Sequence, residues 1–145
     1  MMTKSVHLRL PPASAFELFT ARVSDWWPPE NRHLNDPTST LYLLAGGRFY
    51  ERACDGRELE LGKVLIWEPA RRIVLDFYIA TGTERPTLVE VRFEADGDGT
   101  RVTVNHGPKP ESEHLWSERA PRYARAWERV LGALSAADAR AADRV

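Results

Sequence analysis

The stretch from Pro121 to about Ala137, PRYARAWERVLGALSAA, constrains the fold more than any other part of the chain. Its large apolar residues are Tyr123, Trp127, Val130, Leu131 and Leu134, which recur at i, i+4, i+7, i+8 and i+11. That spacing lays them along one stripe of a 3.6-residue helix. Arg122, Arg125, Glu128 and Arg129 fall off the stripe, beside Glu118, and read as a solvated helix face. Pro121 suits a first-turn position, where its missing N–H has no intrahelical partner to lose. A helix that buries a Tyr and a Trp needs a broad apolar surface to lie on. Only the strands before it can provide one.

Those strands are read from period-two alternation. Ser5 to Leu10 sets Val6, Leu8 and Leu10 against His7 and Arg9, and Pro11-Pro12 ends it. A short helix follows, with Ser14 as its cap and Glu17 three residues on, and a second brief helix spans Val23 to Trp27. Glu30 to Ser39 is a polar loop. Leu41 to Leu44 and Arg48 to Arg52 flank Ala45-Gly46-Gly47, a hairpin signal. Gly62 to Trp67 and Arg72 to Ile79 are joined by Glu68-Pro69-Ala70, and Ile73, Leu75, Phe77 and Ile79 share one face. Thr87 to Ala95 and Thr100 to His106 make the clearest hairpin, turning at Asp96-Gly97-Asp98-Gly99. Lys109 to Trp116 is a polar connection into the long helix. Helices confined to one face of an antiparallel sheet make the class α+β, a single domain over residues 1–145. The sheet must bend to cover its helix.

Several chemistries find no support. Charged residues make up 28% of the chain and the net charge is −1, with acids and bases interspersed, so no nucleic-acid or anionic-membrane footprint stands out. No stretch is apolar enough to span or insert into a bilayer, and the opening MMTKSVHLRLPP lacks the apolar run of a signal peptide. With one cysteine, Cys54, no internal disulfide forms, and the cytoplasm is the expected location. His7, His33, His106 and His114 have no metal-site spacing. No nucleophile elbow occurs, and the Gly-Gly and Gly-x-Gly pairs sit in hairpins and not before helices. No metal, nucleotide or other cofactor is expected. Self-association into a homodimer is left open.

Five groups of residues carry a family resemblance. They are Asp25-Trp26-Trp27-Pro28, Gly46-Gly47-Arg48-Phe49, Gly62-Lys63-Val64 with Glu68-Pro69, Gly99-Thr100-Arg101-Val102 through His106, and Tyr123-x-x-x-Trp127-x-x-Val130-Leu131. Taken in that order, the chain resembles the START-like (SRPBCC) helix-grip superfamily, and within it the Aha-type activators of a heat-shock-protein ATPase. The resemblance implies a curved antiparallel sheet of about six to seven strands wrapped on the C-terminal helix, with two short helices after the first strand. It also implies an apolar cavity between helix and sheet that takes small hydrophobic or aromatic molecules. Trp26, Trp27, Phe49, Trp67, Phe77 and Trp127 are the candidate walls, with Tyr123 and His106 as polar contacts. Each ring also has a plain reading as core. His106 shares strand parity with Val102 and Val104, so it points at the helix, either as a hydrogen-bonded core histidine or as a group that orients a ligand. Asp76 and Glu90 fall on the solvent parity. The superfamily contains carriers, receptors, cyclases and co-chaperones, so fold alone does not assign the activity. Ligand binding is the first expectation. A co-chaperone-like interaction module and a cyclase- or dehydratase-like enzyme are the alternatives, the last requiring a second acid or base beside His106.

Overall fold

The computed structural model describes residues 1–143, as a seven-stranded antiparallel sheet closed over one long helix. The elements are β1 (Met2–Leu8), α1 (Pro12–Phe19), α2 (Val23–Trp26), β2 (Thr40–Leu43), β3 (Arg48–Arg52), β4 (Glu58–Glu68), β5 (Arg72–Phe77), β6 (Thr87–Asp96), β7 (Gly99–Pro108) and α3 (Glu113–Ala142). Single 3-10 turns lie at Pro29–Asn31 and Pro110–Ser112. Strand order is β1-β7-β6-β5-β4-β3-β2, so the strands from β2 to β7 form a meander. Only β1 crosses the layer, to pair with β7. This is the helix-grip architecture of the α+β class.

The inner face follows the alternation in the sequence. Val89, Val91 and Phe93 on β6 and Val102, Val104 and His106 on β7 are buried against the helix stripe of Tyr123, Trp127, Val130, Leu131 and Leu134. Asp76 and Glu90 lie on the outer face and pair with Lys109 and with Arg72 and Arg92. No helix of the described residues is long and apolar enough to cross a membrane.

Several boundaries differ from the sequence reading, each for a local reason. Ser14 does not cap α1; the helix starts at Pro12 behind Pro11, where a missing N–H costs nothing, and no side chain caps it. β1 runs from Met2 to Leu8 because its partners on β7 run from Thr100 to His106. Arg9 and Leu10 leave the ladder and donate their backbone N–H groups to the carboxylate of Asp138 on α3, at 2.8 and 3.0 Å. β4 starts at Glu58, not Gly62, and bulges between Val64 and Ile66, while β5 stops at Phe77.

The largest difference is α3. Pro121 lies inside it, and the end of the segment read as a polar connection, from Glu113 to Trp116, supplies its first turn. The gain is packing: that turn brings Trp116 against His106 and Tyr123, with ring centroids 5.3 and 5.9 Å apart. At about 1.5 Å per residue, the 30-residue helix is roughly 45 Å long.

Candidate functional site

Between α3 and the end of β5 the packing leaves a cavity of about 50 Å³. Trp27, Phe77, Tyr123 and Trp127 wall it, and Asn31, His33, Ile79 and Ala126 border its opening. A volume of that size holds only a few water molecules. Ala126 is the cause on the helix side: one turn from both Tyr123 and Val130, it places a methyl group where its neighbours place rings and branched chains.

The walls are held by specific contacts. Trp127 Nε1–H donates to His106 Nδ1 at 3.0 Å. An indole nitrogen only donates, so Nδ1 is the unprotonated ring nitrogen and Nε2 carries the hydrogen. That hydrogen points to Thr87 Oγ1 at 2.8 Å, and the Thr87 hydroxyl is in turn 3.4 Å from the Phe77 carbonyl oxygen. His106 is fully buried, and desolvation of its charged form pushes its pKa down to about 3. It is therefore neutral, with both nitrogens spent. The Phe77 ring meets His106 edge-on at 5.2 Å and lies tilted 5.9 Å from Trp127. Tyr123 donates its hydroxyl to the Ile79 carbonyl at 2.6 Å, which ties the chain after β5 to the helix. Burial raises the pKa of that phenol.

Trp27 forms the opposite wall. Its Nε1–H donates to the Asn31 carbonyl at 3.1 Å, and its ring meets Trp127 edge-on at 6.3 Å. Phe49 stands behind it, edge-on at 5.6 Å, and so supports the wall without bordering the cavity. Trp26 faces the other way, donating to the Leu18 carbonyl at 2.8 Å and packing on Phe19. Trp67 packs on Phe16, within the Phe16–Phe93 cluster, away from the opening. Of the eight residues singled out from the sequence, four thus line one cavity and two, His106 and Phe49, brace its walls. Trp26 and Trp67 belong to the aromatic core under α1.

The frame of the opening had no place among the candidates. Arg32 donates to three backbone carbonyls: Ser39 O at 2.6 Å, Ser24 O at 2.7 Å, and Trp27 O at 3.0 and 3.2 Å. Burial lowers the guanidinium's pKa, and the Glu51 carboxylate partly offsets that shift. Glu51 is fully buried and accepts the backbone N–H groups of His33 and Leu34 at 2.7 and 3.2 Å. The backbone of residues 32–34 is therefore pinned from both sides. The exposed His33 side chain hangs from it over the opening. A signal for Glu51 existed: it shares β3 parity with Phe49, so a carboxylate was due on the buried face. Nothing in a polar loop sequence marks His33.

Comparison with known proteins adds the family. No curated protein sequence matches the chain. A protein from Rhodobacter sphaeroides of known structure superposes with a TM-score of 0.67 at 18% identity, over 95% of this chain and 91% of that one. One from Nitrosomonas europaea gives 0.64 at 15% identity, over 92% and 90%. At these identities the likeness speaks for the fold. An anthrahydroquino-γ-pyrone synthase, solved as a complex, is 32% identical over 73% of this chain and 75% of that chain, with a TM-score of 0.52. The family described as "Activator of Hsp90 ATPase homolog 1-like protein" matches residues 9–137, from the end of β1 to the last turns of α3. With a helix-grip sheet, an aromatic-walled cavity beneath its terminal helix and that match over most of its length, the chain belongs to the Aha-type family of START-like domains.

Proposed function

We propose that the protein binds a flat aromatic small molecule in the slot between α3 and β5. The observation that carries this reading is the cavity itself: four aromatic side chains converge on one space that opens between Asn31, His33, Ile79 and Ala126. Such apolar concavities with few polar groups are the usual form of small-molecule sites. The space is smaller than any multi-ring ligand, so binding requires the mouth side chains to move outward. Room exists for that, because a depression of about 280 Å³ adjoins the cavity along His33 and Ile79 and is floored by Leu59 and Leu61. A ligand burying roughly 300 Å² of apolar surface would gain about 7 kcal/mol before association costs, which leads to micromolar or weaker affinity.

The test is tryptophan emission and melting temperature during titration with a panel of aromatic polyketides and anthraquinones. Trp27 and Trp127 border the slot, so an occupant should quench emission and raise Tm. A panel that moves neither quantity would sink the reading.

A second reading, a ring-forming catalyst, draws on the likeness to the pyrone synthase. His106 is unsuited to proton transfer there, being neutral, buried and doubly hydrogen-bonded. His33 at the mouth is the side chain that could serve. Turnover abolished in His33→Ala with binding retained would favour catalysis over carriage.

A further inference from the structure

The cavity also opens onto a second outer depression, of about 260 Å³, and the two share Asn31, His33, Ile79, Tyr123 and Ala126. Beyond that shared rim, the outer depression is lined by Arg122, Arg125 and Arg129. α3 places these at i, i+3 and i+7, beside its buried stripe, and all three are exposed. The sequence suggests that neighbouring acids neutralise them, but those acids are engaged elsewhere. Glu118 pairs with Arg119 at 3.0 Å, and Glu128 reaches across to Lys4 on β1 at 2.7 Å. Among the described residues no carboxylate is paired with Arg122, Arg125 or Arg129, whereas Arg9, Arg48, Arg72 and Arg101 each hold one. Arg129 makes one long contact, 3.4 Å to Asn31 Oδ1. Glu30 lines the same depression, so three guanidinium groups stand there against one carboxylate.

The slot therefore has two unlike ends. Its inner end offers nothing to a charge: His106 has both nitrogens occupied, Trp127 has given its N–H, and Tyr123 has given its hydroxyl hydrogen. An ion pushed there would lose its hydration without a replacement partner. The outer end is wet and positive. We propose that the ligand is an aromatic anion, with its ring system in the slot and a carboxylate, sulfonate or phenolate held at the mouth by Arg122, Arg125 and Arg129. This rests on the reading of the slot as a binding site and adds the charge and orientation of what it takes.

Two dyes separate the claims. Anilinonaphthalene sulfonate and phenylnaphthylamine share their ring system, and only the first carries a negative charge. Three exposed guanidinium groups should make the sulfonate bind on the order of tenfold tighter at low salt, an advantage that should shrink towards none at about 0.5 M salt. Replacing the three arginines together (Arg122→Gln, Arg125→Gln, Arg129→Gln) should weaken the sulfonate to the level of the amine and leave the amine unchanged. Ala126→Trp, which fills the slot, should abolish both. Because the arginines are exposed, an unchanged Tm confirms that the triple variant is folded, and the single Arg125→Glu provides the same test with one change.

Equal affinity for both dyes, untouched by the arginine changes, would overturn the anion proposal and leave aromatic binding standing. Sulfonate binding that survives Ala126→Trp would also overturn it, since the dye would then sit outside the slot. If neither dye binds, the proposed function and the anion inference both fail.

Discussion

Trp127 and His106 are joined by a hydrogen bond in which the indole donates and the imidazole accepts, 3.0 Å from Nε1 to Nδ1. The bond connects the middle of α3 to β7 through the centre of the core. It also fixes the tautomer, because the other ring nitrogen must then serve Thr87. The imidazole thus acts as a bracket for the Trp127 wall of the slot, and its proton inventory has consequences for stability.

The first concerns pH. The folded pKa of His106, about 3, lies below the ordinary value of about 6.5, so the unfolded chain binds a proton first as the pH falls. The contribution of this residue is complete above about pH 6.5 and declines towards pH 3, by up to about 1.4 kcal/mol per pH unit. Urea unfolding from pH 7 to pH 4 should show this decline in the wild type. A His106→Gln variant should lack the part due to His106, and parallel profiles for the two proteins would contradict the assignment.

The same bond supports a double-mutant cycle. His106→Leu strands the Trp127 N–H in a dry core and removes the hydrogen bond that Thr87 accepts, which should cost about 3 kcal/mol. Trp127→Phe removes the donor. The double variant should be more stable than the sum of the two losses predicts, by about 1 kcal/mol. Additive losses would mean that the bond does not form in solution.

Glu51 should be among the most sensitive positions. Glu51→Ala leaves two backbone N–H groups without their acceptor and the part-buried Arg32 guanidinium without its nearby counter-charge, at a cost of about 3 kcal/mol. Hydrogen exchange should locate the damage, with the His33 and Leu34 amides losing protection before those of β6 and β7. Uniform loss across the sheet would show that Glu51 supports the fold as a whole and not the frame of the opening.

Asp138 makes an independent prediction. Its buried carboxylate accepts from Arg9 and Leu10, so Asp138→Ala should destabilise by about 2 kcal/mol and Asp138→Asn by less, since one amide oxygen can still accept. Chemical-denaturation midpoints should fall from the wild type to Asp138→Asn to Asp138→Ala.

What could be read in advance was whatever repeats along the chain. The stripe from Tyr123 to Leu134 and the alternation through Val89, Val91, Val102 and Val104 depend only on helix and strand periods, and all of these residues are buried as the pattern requires. Glu51 and Asp138 were equally legible in principle, since each is an acid at an apolar position of its own pattern, which marks a buried acceptor. Trp26 and Trp27 were not separable, because the four-residue helix ends between them and only tertiary packing decides which one meets α3. The arginine row read as a solvated face for a related reason. Helical spacing alone cannot reveal that Glu128 turns away to Lys4.

The double tether of Arg32 and Glu51 bears on how anything gets in. With the Arg32 side chain anchored on backbone carbonyls and the His33 and Leu34 amides on a carboxylate, the threshold of the slot is tied at both ends. Admission then falls to rotamer changes of the half-buried Ile79 and the exposed His33, the latter of a kind that exposed side chains make in picoseconds to nanoseconds. Entry would be quick and unregulated, and how long a guest stays would be decided by the grip of the aromatic walls.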